Sequence, residues 1–138
     1  MKLVTTEAQK HREDESERDP RTSSIIGAAI EVHRHIGPGL LESAYEECLC
    51  HEFHLRGIDF HRQVELPAPY KGLKLDCGYR LDLVVREQVI VELKCVERIL
   101  RIHEAQLLTY LRLTGKAVGL LINFNVPLLT RGIIRKVL

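Results

Sequence analysis

At 138 residues the chain fits one domain with room for a real core, and its 45% apolar content excludes global disorder. A net charge of +1 neither demands nor excludes nucleic acid as a partner. The start of the chain has no apolar signal region and no apolar run reaches membrane-spanning length, so a soluble protein is expected. The four cysteines form no Cys-x-x-Cys pair, which points to reduced thiols in a cytoplasmic setting.

Residues 1–21 carry five basic and six acidic side chains, with no apolar face over His11–Arg21. A charged, flexible or partly helical tail is expected there, followed by a single domain over residues 22–138. The first helix is expected from Ser23-Ser24, which can cap it, to about His35, with Ile25, Ile26, Ala29, Ile30 and His33 on one face. Gly37-Pro38-Gly39 stops it. A second helix runs from about Leu41 to Arg56 and buries Leu41, Ala44, Tyr45, Cys48 and Leu49. A strand follows over about Phe60–Pro69. Another runs from the Lys71-Gly72 turn through Leu73 into a hairpin, Tyr79–Val85 and Val89–Cys95, joined by Arg86-Glu87-Gln88. A third helix spans about Ile102–Thr114, a strand Ala117–Asn123, and Thr130–Val137 fits either a strand or a short helix. The order gives an α/β fold, a mixed α+β sheet flanked by helices.

The chemistry concentrates in the hairpin. Folded about Glu87, it sets Asp82 opposite Glu92, and Lys94 shares the face of Glu92. Leu81, Leu83, Val85, Val89, Val91 and Leu93 are expected to point the other way, into a core. Two carboxylates about 5 Å apart repel by roughly 3 kcal/mol at an effective dielectric of 20. Lys94 offsets part of this, and a bound cation offsets more. The plainer reading is a solvated outer face of an amphipathic hairpin.

Asp82-x9-Glu92-x-Lys94 resembles the active-site motif of the PD-(D/E)xK nuclease superfamily. Gly39-Leu40-Leu41-Glu42-Ser43-Ala44-Tyr45 fits Gly-x-x-Glu-x-x-Tyr, the signature of the GxxExxY family within it. Gln106-Leu107-Leu108-Thr109-Tyr110 fits Gln-x-x-x-Tyr, a helix motif of exonuclease-like members, and Gly119–Phe124 looks like the closing strand. The resemblance covers about Ser24 to Lys136 and implies a restriction-endonuclease-like core and metal-dependent hydrolysis of DNA or RNA. It implies that Asp82, Glu92, the backbone carbonyl of Leu93 and Glu42 bind Mg²⁺ or Mn²⁺. Lys94 would then act on the attacking water or the developing charge, and Gln106 and Tyr110 would position substrate or brace Lys94.

Other readings stay open. Glu42 lies in a first helical turn, where the dipole alone favours an acid. Gln106 and Tyr110 also fit a polar stripe. Cys48, Cys50, His51 and His54 offer zinc-ligand types on one helix. After Val96, seven Lys or Arg against two acids suit either a phosphate backbone or an ordinary basic surface. A nuclease fold also serves non-catalytic nucleic-acid binding or a protein-partner module, the latter marked by an exposed apolar patch such as the isoleucine-rich first helix, and a homodimer stays open.

Overall fold

The computed structural model describes residues 19–66, 68–76 and 79–138; residues 1–18 of the expected tail lie outside them, as do Pro67, Cys77 and Gly78. Two helices open the fold, α1 (Ser23–Ile36) and α2 (Glu42–Leu55). The strands β1 (Phe60–Glu65), β2 (Pro69–Tyr70), β3 (Leu73–Lys74), β4 (Arg80–Val85) and β5 (Val89–Lys94) follow. Helix α3 (Arg101–Thr114), β6 (Val118–Asn123), a 3₁₀ turn (Leu129–Gly132) and β7 (Ile133–Val137) complete the described elements.

The main sheet has the order β1-β4-β5-β6-β7. All its ladders are antiparallel except β5–β6, whose parallel pairing is bridged by α3. Burial on both faces explains why β5 and β6 are apolar at consecutive positions instead of alternating. On one face Ile25, Ala29, Tyr45, Leu49 and Phe53 of α1 and α2 pack on Leu83, Val91, Leu120 and Ile122. On the other, Leu107, Tyr110 and Leu111 of α3 pack on Val84, Ile90 and Leu121. A Cβ at Gly119 would stand 2.7 Å from Leu107 Cδ1, so this glycine sets how closely α3 approaches β6.

Several expectations need correction. Ser23 lies inside α1, and the flanking Thr22 makes no side-chain cap bond. The Asp19 carbonyl instead accepts the N–H groups of Thr22 and Ser23. Asp19–Arg21, assigned to the tail, are bonded into the fold: the Asp19 carboxylate takes Arg21 and Arg135, and the Arg21 hydrogen bond pulls its pKa down to about 2. Leu41 is 77% exposed, because it flanks α2 in extended conformation instead of joining its apolar side. The strand expected through Phe60–Pro69 ends at Glu65. Pro69 and Leu73 belong to a separate two-stranded hairpin, β2–β3, turned at Lys71 and Gly72, whose φ values are 46° and 87°. The C-terminal segment is both a short helical turn and a strand.

Leu81 is the most informative departure. It packs with Val84 and Ile90 on the α3 side, not with Leu83. Residues two apart normally share a face, so the pleat of β4 inverts between them. The cause lies across the ladder. Arg62↔Leu83 and Val64↔Leu81 pair, but Gln63, which should meet Asp82, does not, and its φ is 50°.

Candidate functional site

The β4–β5 turn fixes the register of everything beyond it. Arg86 and Glu87 both take positive φ, 53° and 58°, and Gln88 N–H donates to the Val85 carbonyl at 3.0 Å. A turn with two left-handed residues matches the twist of antiparallel strands. Three pairs follow, Val85↔Val89, Val84↔Ile90 and Leu83↔Val91. One more step sets Asp82 across from Glu92, and there the main-chain ladder stops.

Carboxylates replace carbonyls at that point. Leu93 N–H donates to Asp82 Oδ2 at 2.8 Å, and Asp82 N–H lies 3.4 Å from Glu92 Oε1. Glu92 is only 6% exposed. Its pKa is pushed up to about 9, first by burial, then by the charge of Asp82 and by a hydrogen bond shared between the two carboxyls. The free site therefore keeps a proton on this pair. Lys94, half-buried at the last position of β5, is the nearby cation and acts against that rise.

Glu42 comes from α2, which packs on the sheet face opposite α3. Gly37 and Gly39 take φ of 65° and 101° in the turn between the helices, where a side chain would be strained. Tyr45 fastens this turn: its hydroxyl donates to the Gly37 carbonyl at 2.6 Å and accepts Leu40 N–H at 3.2 Å. Its ring stacks on Phe124, with centroids 4.4 Å apart. The Gly-x-x-Glu-x-x-Tyr spacing thus sets where α2 starts and hence where Glu42 stands. Glu42 is solvent-exposed, yet partial desolvation of its carboxyl and the charge of Asp82 raise its pKa, while Lys94 lowers it.

Tyr110 is not part of a polar stripe. It is buried with Leu107 and Leu111, and burial followed by the charge of Glu92 pushes its phenol up to about 12. Gln106, one turn earlier, is half-buried. His103 acts within its own helix end, where its Nδ1 accepts Leu100 N–H at 3.0 Å and caps α3.

Several contributors carry no motif in the sequence. Asn123, 2% exposed, accepts Val96 N–H and donates to the Val96 carbonyl, pinning the chain just after Lys94. Buried Glu46 accepts hydrogen bonds from Gln63 and Arg62 at 2.8 and 2.9 Å and so holds the irregular part of β1 against α2. Tyr79 lies near enough for its charge to raise the pKa of Tyr110. Of these, Asn123 alone gives a signal, a polar residue closing an apolar strand.

Among the described residues, no group of three or more His, Cys, Asp or Glu side chains stands in metal-holding geometry. The Asp82–Glu92 pair is assembled, while Glu42 approaches it without completing a three-ligand group. The donors still fit a divalent cation: all are oxygens, and Glu92 is a buried carboxyl that needs either a proton or a positive partner. The zinc alternative fails on the same geometry. Cys50 sits in the core with its thiol pushed up to about 11 by burial, and His51 and His54 face solvent.

The basic excess after Val96 is partly engaged internally: Arg135 binds Asp19, Lys136 binds Glu104, and Lys116 donates to the Glu87 carbonyl. The isoleucine-rich face of α1 packs into the core, which leaves it unavailable to a partner. No helix among the described residues is long and apolar enough to cross a membrane.

Comparison with curated proteins and with solved structures gave no significant match. A family model described as the PD-(D/E)XK nuclease superfamily matches residues 19–136, nearly all of the described fold. Members of that superfamily are generally nucleases and typically use divalent metals. With its mixed five-stranded sheet flanked by helices and its acidic hairpin end, the chain belongs to the PD-(D/E)XK nuclease superfamily.

Proposed function

We propose that the protein is a metal-dependent nuclease of the GxxExxY type that hydrolyses phosphodiester bonds in DNA or RNA at the open end of the β4–β5 hairpin. The observation that carries this reading is the meeting of Asp82 and Glu92 where the ladder gives way to carboxylates. A structural hairpin has no use for two acids there, one of them 6% exposed. Asp82, Glu92 and the Leu93 carbonyl would hold Mg²⁺ or Mn²⁺, with Glu42 joining directly or through water after a side-chain rotation. A divalent cation in such a site supplies Lewis-acid chemistry, polarising a phosphoryl oxygen and making water nucleophilic at neutral pH.

The chain's own groups do the rest. Asp82 is oriented by Leu93 N–H, which holds its Oδ2 at 2.8 Å. Lys94 presents an ammonium at the same strand end, suited to orienting the attacking water and balancing charge on the phosphate. Tyr110 is buried close enough to Glu92 for that charge to raise its pKa, and it would help to position substrate or brace Lys94. Gln106, one turn before Tyr110, is placed to contact substrate or to brace Lys94. The setting we propose for it is the cytoplasm, where thiols stay reduced.

Lys94→Ala tests the assignment. Its cleavage of labelled oligonucleotides should fall by about a hundredfold or more, while Mn²⁺ affinity measured by calorimetry stays close to wild type. Full activity in the variant removes Lys94 from the mechanism. Wild-type protein that neither cleaves nor binds metal is instead a binding or partner module on a nuclease fold.

A further inference from the structure

We infer that the small β2–β3 hairpin is a grip for single-stranded nucleic acid, stacking unpaired bases on Tyr70 and Tyr79 and drawing the phosphate backbone to Lys71, Lys74 and Arg80. This rests on the nuclease reading of the adjacent site and adds to it a substrate class and the element that selects it.

The hairpin grows from the sheet at the right place. The β1–β4 ladder ends with Glu65↔Arg80 and one further bond, Leu66 N–H to the Tyr79 carbonyl at 3.1 Å. Chain 68–76 then projects beyond the sheet, held by its own pairs Pro69↔Lys74 and Tyr70↔Leu73 and by Leu75 N–H on the Ala68 carbonyl. Tyr79, just before β4, is three residues from Asp82, which at about 3.3 Å per extended residue is roughly 10 Å, between one and two nucleotides of extended strand. The projection therefore starts beside the open end of β4–β5, not beside the turn.

Its surface is unusual for so small an element. Tyr70 and Leu73 on the hairpin are 59% and 60% exposed, and Tyr79, where the chain re-enters the sheet, is 52% exposed. Lys71 Nζ already lies over the Tyr70 ring, 5.4 Å from its centroid. Over the described residues from Glu65 to Arg80 the charges are Lys71, Lys74 and Arg80 against Asp76 and Glu65, the latter 3.9 Å from Lys74 with both side chains exposed. Two-residue strands cannot bury these rings against each other, and both tyrosines stay more than half exposed. Flat rings among cations suit a polyanion with exposed base faces. In a duplex those faces are covered by neighbouring base pairs, so the rings gain nothing from it.

Fluorescence anisotropy with labelled 15-nucleotide DNA and RNA, single-stranded and duplex, in EDTA tests the assignment. Three proteins are compared: wild type, Tyr70→Ala/Tyr79→Ala and Tyr70→Phe/Tyr79→Phe. The alanine pair should weaken single-strand binding about tenfold or more and leave duplex binding within about twofold, while the phenylalanine pair stays near wild type. Equal weakening for both forms, or none for single strands, overturns the grip. Unchanged single-strand cleavage by the alanine pair overturns it while leaving the nuclease reading intact. If the alanine pair instead changes sedimentation mass with nucleic-acid affinity untouched, the hairpin is a protein contact. Wild type that binds and cleaves no nucleic acid overturns both readings together.

Discussion

The two ends of the β4–β5 hairpin differ in what closes them. At the turn end, Leu83, Val85, Val89 and Val91 sit in the core between sheet and helices and the main chain pairs regularly. At the open end, Leu93 N–H and Asp82 N–H turn to carboxylates, and Glu92 is buried beside Asp82. The first end gains stability from apolar burial; the second gives some of it up by bringing two acids together. Local stability and local chemistry are thus separated by only a few residues of one hairpin, and the regular end makes the irregular end possible.

That separation can be broken by substitution. The largest effect on stability belongs to the turn end. Leu83→Ala empties a fully buried position and should cost about 2–5 kcal/mol in a denaturant titration. A loss well under 1 kcal/mol would mean that this end is not the anchor.

Glu92→Gln should do the opposite. Folded, Glu92 keeps its proton to about pH 9 against an ordinary value of 4.5. Below pH 4.5 both folded and unfolded chains hold the proton, and its titration adds no pH dependence. Between these values the unfolded chain is ionised while the folded one is not, so folding takes up a proton and stability falls as pH rises. Glutamine cannot ionise. In EDTA the variant should match wild type near pH 4 and become increasingly more stable toward about pH 9. A pH-independent difference would show that Glu92 is already ionised in the fold.

The smallest effect is expected in the turn itself. Glu87 holds a φ of 58°, and its ion pair with His61 is exposed on both sides. Glu87→Gly should therefore raise stability slightly, by about 0.5–1 kcal/mol, read from the midpoint of thermal unfolding. A loss would assign that pair a larger role than surface pairs usually have.

The hairpin is legible in the sequence because it is local. Two runs rich in Val, Leu and Ile place the strands, Arg86–Gln88 places the turn, and together they put Asp82 opposite Glu92. The glycines and Tyr45 of the Gly-x-x-Glu-x-x-Tyr stretch are legible as a motif, although their work in fastening the start of α2 needs Phe124, far away in sequence. What cannot be read comes from distant partners. The side on which Leu81 packs is decided by Gln63, held out of the ladder by Glu46 on α2. Tyr110 resembles part of a polar helix stripe because its neighbours in the core, Ile90 and Leu121, belong to strands that helix periodicity does not see. The β2–β3 hairpin resembles continuations of longer strands because two-residue strands carry no periodicity.

The most direct test is cleavage of labelled single-stranded and duplex DNA and RNA by wild type and Asp82→Asn, each with Mg²⁺, Mn²⁺ or EDTA. The expected result is cleavage by wild type that requires the divalent cation and is lost in Asp82→Asn, while the variant still unfolds cooperatively. Cleavage that persists in EDTA or in Asp82→Asn, or wild type that cleaves none of the four substrates, would contradict the assignment of the open hairpin end as a metal-dependent nuclease site.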